Sequence, residues 1–504
     1  MVSISLSPAD LLHTKATAKA VLLEQDFNKS TLKEYAKLFP ALNDLIDERK
    51  FLGSLLSSVV VPVSQKGSFF YLVLIGLGKK NKQGIIDIEN YRRVIGKLMR
   101  IMEDIKVDSL ALELPSTSLL GSPTGYLAGQ TALMAHIGSY HFDEFITDPD
   151  RKTMADREIS IVLGLHDKNE ALEGIKKGTI IATSVNKARH WIDLPPRILF
   201  PTDLAQKAES ICKDFKLKYT VFNEKEINQM GMGGLAAVSA GSDLDCQLVI
   251  MEYKTSKKNA PTIAFVGKGI TFDSGGLSIK PAVHMETMKE DMSGAAAVIA
   301  AMASIAQLKP DVNVIAIAPL AENLPSGKAI KPGDIVTFYN GKTAEIKNTD
   351  AEGRLILADA LSYAVKHYKP DAIIDLATLT GACAYALGPF YAGMMSNHDE
   401  VVERLQESAD RTGDRVWRLP LSDDYKPSIK SVVADICNIG SPKYLAGAVT
   451  AALFLQNFVE DVPWAHLDIA GTAFDVPDIP YYRAHSATGY GVRLLVDVAM
   501  SWDK

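Results

Sequence analysis

Short apolar runs alternate with stretches in which apolar residues recur every three or four positions. In the first third of the chain this pattern predicts strands at 57–63, 69–78, 109–114 and 158–163, and helices at 90–106 and 125–135. Alternation of this kind is typical of a sheet assembled from strand–helix–strand units. The pattern therefore predicts an N-terminal α/β domain.

A long polar stretch, 169–189, predicts a helix that Pro195 and Pro196 prevent from continuing. We therefore expect an N-terminal α/β domain at 1–168, a linker helix at 169–194 and a larger C-terminal catalytic domain at 195–504. Beyond the linker the predicted strands are 219–222, 247–251, 262–266, 312–317 and 372–376. Apolar, β-branched runs are typical of strands buried on both faces. The predicted architecture is α/β in both domains, the larger with a mainly parallel central sheet flanked by helices, which binds ligands beyond its carboxyl strand ends.

The composition is that of a globular protein and gives little sign of special partners. Of the 504 residues, 47% are hydrophobic and 23% charged, and the formal net charge of −6 gives no reason to expect nucleic acid or an anionic membrane. The longest apolar runs are too short to cross a bilayer. The first seven residues lack the pattern of a secretory signal, and the four cysteines form no CxxC pair. We therefore expect a cytoplasmic protein with reduced thiols.

The segment 348–355, Asn-Thr-Asp-Ala-Glu-Gly-Arg-Leu, places charged side chains at every second position. In an extended backbone Asp350, Glu352 and Arg354 would project to one side, and two acids on one face repel each other unless cations lie between them. Gly353 permits a tight bend before a predicted helix at 355–365. A charged turn that only favours the helix N-terminus is the alternative interpretation.

Two further loops carry charged residues. The glycine-rich loop 267–281 follows a predicted strand and contains Lys268, Asp273 and Lys280, and Asp291 precedes a helix of small residues. Asp291 alone could be an N-cap, and Lys268 alone a solvated loop lysine. The glycine spacing does not match a phosphate-binding loop, and Gly-Leu-Gly at 76–78 is a weak signal for a dinucleotide site.

Together the loops supply four acids, Asp273, Asp291, Asp350 and Glu352, with basic residues beside them. Such oxygen-rich clusters suit a pair of divalent cations roughly 3.5 Å apart, as in two-metal hydrolytic sites. The ten histidines form no HExxH motif, and no GxSxG elbow supports a serine hydrolase. The sequence thus favours a carboxylate-bound pair of metal ions.

The segment 348–355 resembles the signature of the leucyl aminopeptidase family, also called cytosol aminopeptidases. The stretches 267–280, 290–294, 376–382, 417–421, 447–455 and 464–471 are similar to other parts of that family. The resemblance covers the chain from about Pro195 to its end, while the first domain is a looser match. It implies an enzyme, a metallo-exopeptidase that releases leucine and other N-terminal residues from peptides by attack of a metal-bound hydroxide.

The resemblance also assigns roles to individual residues. It implies one metal site built from Lys268, Asp273, Asp291 and Glu352, and a second from Asp273, Asp350 and Glu352. Lys268 would have to bind as a neutral amine, so its pKa would have to fall beside the cations. Catalytic roles are implied for Lys280, which would stabilise the developing oxyanion, and Arg354, which would hold bicarbonate as a general base. Met288 would line the pocket for the first side chain, although a core methionine is the alternative.

The implied cofactors are two divalent ions per subunit and bicarbonate. Manganese and zinc are the expected metals, with cobalt and magnesium as alternatives, and the sequence does not decide between them. The implied partners are peptides with a free N-terminus and further copies of the chain in a homohexamer. Two other functions stay open at this point: a DNA-binding accessory protein of the same family and a catalytically silent homologue.

Overall fold

The computed structural model describes residues 2–65, 68–149 and 156–502. The chain divides into two compact units, the first made of Met1–Thr183 with Asp478–Arg483 and the second of Ser184–Pro477 with Ala484–Lys504. The division falls inside a single long helix, Lys168–Asp193. The domain boundaries expected from the sequence, at 168 and 195, remain a proposal.

The first unit contains a six-stranded sheet with helices. Its strands are β1 Val2–Ser7, β2 Ala18–Glu24, β3 Ser58–Gln65, β4 Ser68–Gly78, β5 Ser109–Glu113 and β6 Arg157–Val162. Its helices are α1 Lys33–Leu38, α2 Leu42–Glu48, α3 Ile88–Asp104, α4 Thr117–Leu120, α5 Thr124–Gly138 and the start of α6 Lys168–Asp193, with a 3-10 turn at Lys29–Leu32. The order is β1-β6-β5-β2-β4-β3, and only β3 and β4 are antiparallel neighbours. Every strand and helix predicted for this part is present, while β1 and β2 lie outside the predicted elements.

Glycines allow α5 and α6 to pack with their backbones in contact. Gly174 and Gly178 belong to a buried stripe on α6 and face Gly125 and Gly129 of α5. A Cβ at position 174 would lie 1.8 Å from the carbonyl oxygen of Gly125, and one at 178 would lie 2.2 Å from that of Gly129. Two backbones leave no flexible side chain to move aside, so a methyl group cannot be accommodated without separating the helices.

We therefore expect Gly174→Ala to destabilise the first unit. Overpacking of this kind costs typically about 1–3 kcal/mol, which exceeds the roughly 1 kcal/mol that alanine gains over glycine in a helix. Thermal unfolding followed by circular dichroism should show a lower Tm. Gly327→Ala is the matched control because no atom lies within 4 Å of its Cβ position. An unchanged or raised Tm for Gly174→Ala would show that this helix contact is looser than described.

The second unit is larger. Its strands are β7 Lys218–Asn223, β8 Gln247–Tyr253, β9 Thr262–Gly267, β10 Gly269–Asp273, β11 Asn313–Asn323, β12 Ile335–Thr337, β13 Thr343–Glu345, β14 Ala372–Ala377, β15 Ala392–Ser396, β16 Val416–Arg418, β17 Ile436–Cys437 and β18 Trp464–Asp468. Its helices after α6 are α7 Pro201–Phe215, α8 Glu224–Met230, α9 Gly233–Ser239, α10 Ala282–Met285, α11 Ser293–Leu308, α12 Gly353–Tyr368, α13 Gly381–Leu387, α14 Asp399–Thr412, α15 Gly447–Gln456 and α16 Val492–Ser501. Short 3-10 helices lie at Met288–Met292, Asp423–Ile429 and Pro442–Tyr444. All five strands predicted for this part are present.

The main sheet of this unit has nine strands in the order β16-β15-β18-β14-β9-β11-β8-β7, with β10 paired to β11. Its central strands β18, β14, β9, β11 and β10 run parallel, while β8 and β7 add an antiparallel edge. The predicted fold, α/β in both units with a mainly parallel sheet in the larger, is confirmed. The carboxyl ends of the parallel strands meet at one edge, where a doubly wound sheet binds its ligand.

Helix α11 is apolar, is buried over most of its length and packs against β9 and β11 of this sheet. Among the described residues one stretch, 282–308, is long and apolar enough to cross a membrane, and 83% of its apolar window is buried inside the protein. Burial of this extent is typical of a core helix, because a membrane span would expose its apolar side chains. The four cysteines are also free and buried, as their isolation in the sequence predicts.

Candidate metal centre

The parallel strands deliver polar residues to one edge of the nine-stranded sheet. Lys268 follows β9, Asp273 is the last residue of β10, and Thr378 follows β14. Asp291 reaches the same edge from the 3-10 helix Met288–Met292, and Glu352 is the residue just before α12. Residues far apart in the sequence therefore converge because their strands run in the same direction.

One half of the cluster is deeply buried around Lys268. Its Nζ donates to Asp291 Oδ1 at 2.7 Å and lies 2.8 Å from Glu352 Oε1, and it also donates to the carbonyl oxygen of Thr378 at 2.8 Å. The side chains of Lys268, Asp291 and Glu352 are at most 5% exposed. A solvated loop lysine is thereby excluded for Lys268.

The other half surrounds Lys280. Its Nζ lies 2.8 Å from Asp273 Oδ2 and 2.6 Å from Asp350 Oδ1. The Asp273 side chain is 2% exposed, but those of Lys280 and Asp350 are 15% and 31% exposed. Of the six charged side chains, Lys280 and Asp350 thus face solvent most, so a substrate would approach from their side.

The donor atoms fit divalent cations. One carboxylate oxygen each from Asp273, Asp350 and Glu352 lie within 4.8 Å of one another. Asp291 Oδ2 and Glu352 Oε2 are buried, and neither has a hydrogen-bond partner among the described residues. Buried carboxylate oxygens without donors are costly unless a cation binds them. Carboxylate oxygens with one lysine nitrogen form a ligand set that Mn²⁺, Zn²⁺, Co²⁺ and Mg²⁺ can share.

Burial and mutual repulsion set the pKa values of the acids. Burial raises the pKa of Asp273 and of Asp291, and the nearby charge of Glu352 raises both further. Burial also raises the pKa of Asp350. Glu352 differs, because Lys268 and Lys280 outweigh the effect of burial and hold its pKa below the usual value. A site that resists ionisation of its own carboxylates is stabilised by added positive charge.

The two lysines experience the opposite effect. Burial alone would lower the pKa of Lys268, but Asp291 and Glu352 outweigh it and raise that pKa. The pKa of Lys280 is likewise raised, since Asp273 and Glu352 outweigh burial. Four carboxylates face two ammonium groups, which leaves an excess of negative charge when all of them are ionised.

Arg354 lies in the first turn of α12 and is 6% exposed. Its Nη1 donates to the carbonyl oxygen of Asn438 at 2.7 Å, whereas its Nε is buried with no partner among the described residues. Burial lowers the pKa of Arg354 to about 10, although Glu352 and Asp468 act against that shift. A buried guanidinium with an unused N–H is suited to holding a small anion.

The extended conformation predicted for 350–354 is wrong. Strand β13 ends at Glu345, Asp350 lies in a turn, Glu352 has the helical dihedrals φ −79° and ψ −37°, and Arg354 is already inside α12. Asp350 and Glu352 still converge, because the turn and the helix start bring them together. The requirement for glycine at position 353 is steric and does not come from a tight bend. A Cβ there would lie 2.5 Å from Cε of Lys268.

Asp291 and Met288 belong to the same short 3-10 helix, Met288–Met292. Met292, and not Asp291, is the N-cap residue of α11, so the N-cap interpretation of Asp291 is wrong. Met288 is half-buried at the start of the 3-10 helix. A pocket role for Met288 remains a prediction.

Several supporting residues were not identified from the sequence. Asn323, the last residue of β11, donates to Asp273 Oδ1 at 2.8 Å and to the carbonyl oxygen of Thr349 at 3.1 Å. The Asn438 side chain accepts from the backbone N–H of Lys347 at 2.8 Å and donates to the carbonyl oxygen of Asn348 at 2.6 Å, and its own carbonyl accepts from Arg354. The position of Asn323 two residues beyond an apolar run is a signal that could have indicated it, whereas nothing in the sequence around Asn438 distinguishes that residue.

Family models match both parts of the chain. A model described as the catalytic domain of the cytosol aminopeptidase family matches residues 186–496, and one described as the N-terminal domain of that family matches residues 21–149. A "Probable cytosol aminopeptidase" of Roseiflexus castenholzii is 41% identical over 473 residues, which are 94% of this chain and 95% of the relative. Another, of Aquifex aeolicus, is 43% identical over 432 residues, which are 85% and 84% of the two chains.

Solved structures agree with these matches over nearly the whole chain. A mutant of tomato leucine aminopeptidase is 30% identical with a TM-score of 0.87, covering 99% of this chain and 96% of the other. The bottromycin maturation enzyme BotP in complex with Mn is 29% identical with a TM-score of 0.85, covering 97% and 100%.

Proposed function

The chain belongs to the cytosol aminopeptidase family and is a metallo-exopeptidase that acts on peptides, and from that premise we propose that it releases leucine and other N-terminal residues at a centre of two divalent cations. The observation that carries this proposal is the convergence of Lys268 with four carboxylates from three separate segments of the chain. Two of these carboxylates keep a buried oxygen that has no hydrogen-bond donor among the described residues. Use of a divalent metal is further supported by the manganese in the complex of BotP.

The ligands divide into two overlapping sets. Lys268, Asp273, Asp291 and Glu352 would hold the first cation, and Asp273, Asp350 and Glu352 the second. When bound, such a pair of cations supplies a water of lowered pKa, polarises the scissile carbonyl and binds the α-amine of the substrate. For Lys268 to bind as a neutral amine, its pKa must fall below the raised value that the acids give it here.

The remaining groups are placed to act on the substrate. Lys280 is partly exposed and fully charged, so its ammonium can donate to the carbonyl oxygen of the scissile bond as negative charge develops there. Arg354, with its unused Nε, would hold a bicarbonate ion that serves as general base. Met288, on the helix of Asp291, would contact the first side chain of the substrate.

We further propose a homohexamer in the cytoplasm, which the family membership supports. Light scattering should then give six times the mass of one chain, and a monomeric mass would contradict the hexamer. No observation favours the DNA-binding or the catalytically silent alternative.

Removal of metal tests the proposal. After treatment with a chelator, hydrolysis of leucyl-p-nitroanilide should fall to background, because no remaining group replaces the cations. Stepwise return of Mn²⁺, Zn²⁺, Co²⁺ or Mg²⁺ should restore the hydrolysis with at least one of these metals. The restored enzyme should cleave a leucyl peptide but not the N-acetyl form of the same peptide. Full activity in protein whose metal content is zero by mass spectrometry would contradict the proposal.

A further inference from the structure

Thr378 contacts the two deepest members of the metal centre through two different atoms. Its hydroxyl donates to Asp291 Oδ1 at 2.8 Å, and its carbonyl oxygen accepts from Lys268 Nζ at 2.8 Å. Both hydrogen bonds are buried. Both hydrogen bonds involve the Lys268 half of the cluster. Lys280 and Asp350 form a separate ion pair on the more exposed side.

The backbone around Thr378 is held firmly. On one side, the Leu376 carbonyl accepts from the backbone N–H of Lys268 at 3.0 Å. On the other side, the fully buried carboxylate of Asp468, at the end of β18, accepts from the Thr380 hydroxyl at 2.7 Å and from the backbone N–H groups of Leu379 and Thr380 at 3.3 and 3.4 Å. Asp468 therefore anchors the turn that fixes both oxygen atoms of Thr378.

We propose that Thr378 is a positioning residue that orients Asp291 and Lys268 toward one of the two cations, with Asp468 as the anchor of its turn. The Thr378 hydroxyl and Lys268 both occupy Asp291 Oδ1, which leaves Asp291 Oδ2 as the unpartnered oxygen for a cation. The Thr378 carbonyl accepts one N–H of Lys268 and so fixes the orientation of the amine. Outer partners of metal ligands act in this way in other metal sites.

This inference rests on the proposed two-cation function and predicts an asymmetric effect. Thr378→Val keeps the shape and the backbone carbonyl but removes the hydroxyl, so only the cation held by Lys268 and Asp291 should bind more weakly. Loss of an outer partner costs about 10–100-fold in metal affinity. Thr378→Ser keeps a hydroxyl and should restore the affinity.

Calorimetric titration of chelator-treated protein with Mn²⁺ tests the inference without measuring activity. The wild type should bind two ions, and Thr378→Val should weaken one of them about 10–100-fold and leave the other unchanged. Thr412→Val is the matched control, because it removes a buried hydroxyl that donates to the Ser408 carbonyl at 2.7 Å in α14. Wild-type binding of both ions by Thr378→Val, or equal weakening of both, would overturn the inference.

The same titration separates the role of Thr378 from the two-cation function. A wild type that binds fewer than two Mn²⁺ ions would overturn the two-cation proposal and this inference with it, whereas an unaffected Thr378→Val in a two-ion wild type would overturn only the inference. Melting curves confirm that each variant is folded. If Thr378→Val is not, Thr378→Ala removes the same hydroxyl and is judged by the same outcomes.

Discussion

Glu352→Gln is expected to reduce hydrolysis of leucyl-p-nitroanilide to background while the protein stays folded. Glu352 contributes to both proposed cation sites, with Oε1 beside Lys268 and a buried Oε2 that has no partner among the described residues. Glutamine removes the negative charge and replaces one acceptor oxygen with an NH₂ donor, which repels a cation. Because the change removes a ligand, its effect should exceed the roughly 10–100-fold cost of disturbing an outer partner.

A matched control lies on β11 of the nine-stranded sheet. Glu322 is also buried, but it accepts a hydrogen bond from Ser242 and takes no part in the cluster. Glu322→Gln should therefore retain wild-type activity and bind two Mn²⁺ ions. A Glu352→Gln variant that keeps its activity would show that the cations, if present, are held elsewhere.

Lys280→Met is expected to lower kcat about 10²–10³-fold, which is the usual cost of losing one donor to a developing oxyanion. KM should change less, because the contact strengthens only in the transition state. The variant should still bind two Mn²⁺ ions, since Lys280 is a cation and is not a ligand in the proposal. Steady-state kinetics and Mn²⁺ titration on one preparation measure both quantities.

The control for Lys280 removes another paired lysine. Lys218, on β7, pairs with Glu252 of β8 at 2.7 Å, outside the cluster. Lys218→Met should leave kcat unchanged, because surface ion pairs contribute little. A Lys280→Met variant with wild-type kcat would refute its role at the oxyanion. Loss of metal from that variant would instead show that Lys280 mainly supports the ligands.

The fold could be predicted wherever a strand consists mostly of apolar residues, because such a run indicates burial on both faces. Strands β8, β9 and β14 are mostly apolar and buried, and each was predicted even though β14 contains the buried Asp375. Strand β18 was not predicted, since two of its five residues, His466 and Asp468, are polar. Both are fully buried, His466 being paired to Asp375 at 2.6 Å. Burial of paired polar groups is invisible to a hydrophobic pattern.

The candidate site could be predicted only in part, because the sequence indicates its charged residues but neither the local backbone geometry nor the uncharged partners. Acids near strand ends indicated the cluster, because like charges brought together require a cation. The backbone geometry predicted at Glu352 was wrong, since alternation in sequence does not distinguish a strand from a turn that leads into a helix. Thr378 and Asn323 carry no charge, so their contacts with Asp291 and Asp273 follow only from the way the strands are ordered.

The central claim is that two cations share one set of ligands. A crystal structure of the protein grown with Mn²⁺, with anomalous diffraction recorded near the manganese absorption edge, tests it most directly. We predict two anomalous peaks roughly 3.5 Å apart, both in contact with Asp273 and Glu352, one also with Lys268 and Asp291, and the other with Asp350. A single peak, or peaks bound by other residues, would contradict the account.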